Sequence, residues 1–130
     1  MEVAVVGGGV TGISCALTLA EQGVCVRVHE ASTVASGASG RNGGFALRGA
    51  AMPYDQARTR LGAERAAALW RLTERTLDRM EGLAGDALRR VGSLRLAADK
   101  KERDELLAEH EALRGDGIDS EWVERPSGRL

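Results

Sequence analysis

The sequence predicts an α/β fold in which a strand–helix–strand unit opens the chain and helices dominate the rest. Three observations carry that expectation. A valine-rich run, EVAVVG at 2–7, stops abruptly at glycine. A helical period follows from Val10, and a second β-branched run, VCVRVHE at 24–30, closes on an acid. Strand, helix and strand then fit within thirty residues, the size of a βαβ unit.

Each element has its own local reason. A short, continuous apolar run bounded by a turn suits a parallel strand buried on both faces, and 2–7 is expected to be covered on each side. From Val10 to Gln22 the apolar residues Val10, Ile13, Ala16, Leu17 and Ala20 recur at three- and four-residue spacing. Gly23 then stands where a helix C-terminus favours a left-handed residue.

Charge is unevenly spread. Residues 1–50 carry only Glu2, Glu21, Arg27, Glu30, Arg41 and Arg48, out of 18 basic and 19 acidic side chains in the 130-residue chain. The first part is thus built for burial or ligand contact, and the remainder for solvated helices. A net charge of −1 gives no electrostatic case for nucleic acid or an anionic membrane. Residues 3–20 are uncharged, but Gly7, Gly8, Gly9, Thr11, Gly12 and Ser14 interrupt them and no basic run precedes them, which argues against a signal or transmembrane segment, so the expected location is cytoplasmic. Cys15 and Cys25 lack partners at metal spacing and read as buried thiols of a reducing compartment.

The first turn contains GGGVTG, with glycines at 7, 9 and 12. In a Rossmann-like unit Gly7 permits the tight turn, Gly9 lets backbone approach a pyrophosphate, and Gly12 lets the helix pack close to the strand. The helix N-terminus presents N–H groups and a positive dipole end to phosphate. Glu30, eighteen residues beyond Gly12, is placed to accept from a ribose diol, and its charge disfavours a 2′-phosphate. The chain then leaves through ASTVASGASGRNGGF, where small residues can wrap a long cofactor. Ser36 and Ser39 add hydroxyls and Arg41 offsets phosphate charge; a plain Gly/Ser linker is the bland reading of the same stretch.

GGGVTG, the VHE that ends the second strand, and SGASGRNGG together resemble the FAD-dependent oxidoreductases of the D-amino-acid oxidase family. Within it the chain is most similar to the amine and amino-acid oxidase or dehydrogenase branch, including γ-glutamylputrescine oxidase-like members. The resemblance implies FAD as cofactor, with Gly7, Gly9, Val10, Thr11 and Gly12 around the pyrophosphate. Glu30 would bind the adenosine ribose with Ala31 beside it, and Ala38 and Ser39 would touch the pyrophosphate. Arg41, Asn42, Gly43 and Gly44 would run beneath the ribityl chain. It further implies a small amine or amino-acid substrate oxidised at its C–N bond, with substrate-binding groups beyond residue 130 and no catalytic residue to name within it.

Residues 1–50 are then expected to be the N-terminal part of the FAD-binding domain. Residues 51–130 would be a helical segment and the truncated start of a substrate or cap region, so that the whole is an N-terminal fragment, inactive alone and with raw sheet edges. In that second part a helix is expected from about Leu61 to Leu83, with Leu69, Leu72, Leu77, Met80 and Leu83 as its stripe and Trp70 at its edge. VGSLRLA at 91–97 reads as a strand with Leu94 and Leu96 on one face. Asp99 and Glu102 have capping-box spacing and open a helix that Gly115 closes, with His110 exposed on it. Two readings of other classes compete: an NAD-binding dehydrogenase or sensor module, and a helical interaction protein whose glycine turn is incidental.

Overall fold

The computed structural model describes residues 2–124, and the closing stretch 125–130, expected to hold no strand, lies outside them. The chain divides into two compact units, Met1–Phe45 and Ala46–Leu130. Among the described residues no helix is long and apolar enough to cross a membrane.

In the first unit β1 (Glu2–Val6), α1 (Val10–Glu21) and β2 (Cys25–His29) form a right-sized βαβ motif, with β1 and β2 parallel and Val3 opposite Val26 and Val5 opposite Val28. Those four valines share the half-buried face, while Glu2, Ala4, Val6, Cys25, Arg27 and His29 are exposed. The expectation of strands buried on both faces therefore fails: α1 covers one face only, and on the other an exposed Arg27–Glu2 ion pair spans the strands. Both cysteines are exposed rather than buried, Cys25 because it falls on the uncovered face and Cys15 because it lies on the outer side of α1. Only Ala16 of α1 is fully buried, and Val10 and Ile13, expected in the apolar stripe, are 64% and 39% exposed. Gly12 and Ala16 turn inward on the helix, together with the half-buried Leu17 and Leu19. The two small residues let the backbones approach closely.

A Schellman motif ends α1. Gly23 has φ +77°, Val24 N–H donates to Leu19 O at 3.1 Å, and Gly23 N–H donates to Ala20 O at 2.9 Å. At the other end, a Cβ on Gly12 would fall 2.0 Å from the Gly7 carbonyl oxygen.

The second unit packs α2 (Tyr54–Leu61), α3 (Ala63–Ala84) and α4 (Lys100–Gly115) around Tyr54, Ala57, Ala66, Ala67, Trp70, Leu113 and Ile118. Helix α2 was not expected. Pro53 at its N-cap, Asp55 in its first turn and Arg58 and Arg60 in its last suit the helix dipole, and Gly62 at φ +82° separates it from α3. Trp70, expected at a helix edge, is 4% exposed at the centre, with its ring edge-on to Tyr54 at 4.9 Å. Leu72 and Leu83 of the expected stripe are 52% and 60% exposed instead. The packing seam follows Ala66, Ala67 and Trp70, where small residues admit α2.

Two further expectations change. Residues 91–97 pair with no strand among those described and run as irregular backbone, so Leu94 and Leu96 remain exposed. A run of alternating residues becomes a strand only where a neighbour takes its hydrogen bonds. Helix α4 starts as expected, with Asp99 accepting from Glu102 N–H and Glu102 from Ala98 N–H, both at 2.8 Å. It ends at Gly115, also as expected, and the left-handed turn that follows falls at Gly117, φ +71°, where Ile118 N–H returns to Leu113 O at 2.9 Å and Ile118 enters the core. His110 is half-buried, with Nδ1 2.8 Å from Ser120 Oγ.

Asp116 ties this unit together. It accepts from the Tyr54 hydroxyl at 2.7 Å and from Arg58 Nε at 2.8 Å. The Tyr54 hydrogen bond, aided by Arg58, holds its carboxyl below the usual range despite partial burial. Burial first, and then the bond to Asp116, pushes the Tyr54 phenol up to about 12.

Two predictions follow from this packing. Gly12→Ala, whose methyl would meet the Gly7 carbonyl, destabilises the βαβ unit by about 1–3 kcal/mol, the scale of an overpacked contact. Gly37→Ala, whose Cβ meets nothing within 4 Å, leaves it unchanged. Backbone hydrogen exchange of residues 3–29 separates the two. For the second unit, both tryptophans of the chain, Trp70 and Trp122, report unfolding by fluorescence. Asp116 is more acidic folded than unfolded, so its contribution is present above its unfolded pKa near 3.8 and is lost as pH falls through its folded value. The stability gap between the parent and Asp116→Asn is therefore widest near neutrality and closes on acidification. Because the Tyr54 phenol is raised from 10.0 to about 12, the parent also loses stability as pH climbs through that window.

Candidate functional site

The site grows from the end of β1. Gly7 continues the parallel ladder, donating to His29 O at 2.8 Å, and then turns the chain at φ +105°, a conformation that favours glycine. Gly8 is buried, and its N–H points across to the side chain that ends β2: it donates to Glu30 Oε2 at 2.6 Å. Ser32 N–H donates to the other oxygen, Oε1, at 2.9 Å. These backbone donors, Gly8 foremost, hold the Glu30 carboxyl below its ordinary value. The ionised group keeps further lone pairs on each oxygen for an external donor.

Gly9 is the N-cap of α1, in extended backbone, with no side-chain cap and no acid in the first helical turn. Such a helix start leaves N–H groups and the positive dipole end facing outward. Val10 N–H is taken by Ser39 Oγ at 2.9 Å, from the loop that follows β2. Thr11 is exposed beside it.

That loop is folded. Ala35 N–H donates to Gly8 O at 3.0 Å, and Ala35 itself has φ +60°. Residues Ala38–Gly40 make one 3-10 turn, and a Cβ on Gly40 would fall 2.3 Å from Ala35 O, so the loop crosses closely over itself. Asn42 clasps it: Nδ2 donates to Ala38 O at 3.2 Å and Ser39 O at 2.8 Å, while Oδ1 accepts from Gly44 N–H at 2.8 Å. Arg41 Nε donates to Gly37 O at 3.4 Å. A freely flexible linker would show none of this order.

Of the residues singled out in the sequence, Gly7, Gly9, Val10, Gly12, Glu30 and Ser39 gather at one turn. Ala31, Ser36 and Ala38 are exposed along the loop, and Arg41, Asn42, Gly43 and Gly44 form its later limb, with Gly44 at φ +70°. Three residues of the site escaped sequence reasoning. Gly8 is the donor that orients Glu30, and a Cβ there would come 3.1 Å from Glu30 Oε2. Its signal was the middle glycine of GGG, which the GxGxxG spacing leaves without a role. Ala35 and Gly40 shape the loop through a backbone crossing that no spacing rule announces.

Several known proteins are similar to this chain. Probable oxidoreductase OrdL of Haemophilus influenzae is 36% identical over 110 residues, 82% of this chain and 26% of that protein. Gamma-glutamylputrescine oxidoreductase of Escherichia coli is 65% identical over 43 residues, 33% of this chain and 10% of that protein. Probable oxidoreductase OrdL of Rhizobium meliloti is 40% identical over 73 residues, 56% of this chain and 17% of that protein. The chain thus spans about a quarter or less of the length of these relatives. No solved structure matches it significantly. The family model described as FAD dependent oxidoreductase matches residues 2–128, and the chain accordingly belongs to the FAD-dependent oxidoreductase family, whose cofactor is FAD.

Proposed function

We propose that the turn at 7–12, Glu30 and the 31–44 loop form the adenosine-diphosphate end of an FAD site, in a flavoenzyme that oxidises the C–N bond of a small amine or amino acid. Residues 1–50 are the N-terminal part of its FAD-binding domain, and residues 51–130 are a helical segment leading into the substrate or cap region. The observation that carries this reading is the Glu30 carboxylate, held at the mouth of the glycine turn by the Gly8 and Ser32 amides.

The residues present fit the group. A helix start whose N-cap residue is glycine, with no acid in its first turn, suits a diphosphate. The 2.0 Å approach that a Cβ on Gly12 would make to Gly7 O supports a turn built for close backbone packing. Glu30, kept ionised by its amide donors, offers acceptor sites to a ribose diol and repels a 2′-phosphate. When bound, the flavin supplies the acceptor for a hydride from the carbon bearing the substrate's nitrogen. This chain's own contribution is to bind and orient: Glu30 fixes the sugar, and the first turn of α1 neutralises the diphosphate. The amine or amino-acid branch is supported by the 65% identity to a relative named for gamma-glutamylputrescine.

Titration of the protein with FAD tests the assignment. Glu30→Gln keeps the shape but removes the charge, so FAD binds about tenfold more weakly, the scale of a hydrogen bond to a charged group. NADP discrimination relaxes in parallel. A parent protein that takes up NAD and excludes FAD overturns the proposal.

A further inference from the structure

We propose that Ser39 is a positioning residue for this site: its hydroxyl latches the 31–44 loop onto the first turn of α1 before any nucleotide arrives. The inference rests on the FAD reading above for its purpose, but its geometry stands on the first unit alone.

A helix start ordinarily takes its cap from the N-cap side chain itself, usually Ser, Thr, Asp or Asn. Here the N-cap is Gly9, which has none, and the oxygen comes from 29 residues away, Ser39 Oγ accepting from Val10 N–H at 2.9 Å. The two facts are linked by space: a Cβ on Gly9 would fall 3.1 Å from that same Oγ. Glycine at 9 therefore serves the serine as well as any phosphate, because a larger residue would push the imported cap away.

The loop touches the turn at two points. One is the main-chain bond from Ala35 N–H to Gly8 O, which no substitution of a side chain removes. The other is Ser39. The loop is braced internally by Asn42 and by the crossing of Gly40 over Ala35, so loss of the Ser39 contact leaves only its own weak bracing to hold it folded and lets it open locally. A serine hydroxyl that accepts from an amide still has its own proton to donate. Ser39 can therefore hold the helix start and offer a donor to a phosphate oxygen at once, and ligand binding need not break the latch.

Arg41, exposed in the same loop, supplies the readout, since trypsin cleaves after it only when the loop opens. Arg27, within β2, reports opening of the whole unit. Without nucleotide, Ser39→Ala is cleaved at Arg41 about fivefold faster than the parent, the scale of one lost hydrogen bond, and cleavage at Arg27 is unchanged. Ser39→Thr restores the parental rate. FAD titration of the same proteins gives a Kd raised about fivefold for Ser39→Ala and restored for Ser39→Thr. Gly9→Ala, which crowds the hydroxyl, moves both readings in the direction of Ser39→Ala and serves if that variant folds poorly. Unchanged cleavage at Arg41, a matching rise at Arg27, or a failure of threonine to rescue overturns the latch. A parent that takes up no FAD overturns the nucleotide reading, while the cleavage arm still decides the latch.

Discussion

Helix α1 lies so close to the end of β1 that no side chain fits between them at Gly12, where a methyl group would overlap the Gly7 carbonyl at 2.0 Å. The rest of the first unit depends on that approach. It fixes where α1 begins, which sets the direction of its first N–H groups. It also requires the chain to leave β1 by a positive φ at Gly7, and that turn aims Gly8 N–H at Glu30. One close backbone contact thus decides the position of a charge on the neighbouring strand.

The second unit is organised by a different kind of constraint. Its core is small, and several of its residues are alanines, so packing of α2 on α3 gains modest apolar area per residue. What orients the helices is a buried aromatic pair and the polar contacts around it. Tyr54 meets Trp70 through its ring, Asp116 through its hydroxyl and Glu109 through its backbone N–H at 2.9 Å. Gly49, at φ +94°, lies against the Trp70 ring at a distance where a Cβ would meet ring carbon at 2.9 Å. Long-range hydrogen bonding of this sort gives a unit with few large buried side chains one preferred arrangement.

The glycine turn, both strands and α1 were legible because each has a local signature: β-branched runs, a 3.6-residue period, and glycines at functional offsets. The cap at Asp99 was legible for the same reason. Features set by distant partners were not. Trp70 reads as a helix-edge residue until α2 covers it, and α2 itself is short and polar, with only Pro53 and its flanking charges to announce it. VGSLRLA has strand-like alternation, yet alternation says nothing about whether a neighbouring strand is there to pair with. Gly115 was legible as the end of α4, whereas the left-handed turn at Gly117 depends on Ile118 packing beside Leu113, a partner no local pattern announces. In the candidate site, Gly7, Gly9, Gly12 and Glu30 were named from spacing and the loop residues from their chemistry and the family resemblance, whereas Gly8, Ala35 and Gly40, which shape it through close backbone contacts, were passed over.

Ala35 is the one residue other than glycine with positive φ among those described, at +60°. Holding alanine there costs on the order of 1–2 kcal/mol in steric conflict that glycine would escape. Glycine, however, would widen the range of shapes open to this segment before the protein folds. Alanine accepts local strain in exchange for a smaller conformational search, so the segment between β2 and Phe45 reaches its crossed shape from fewer starting points.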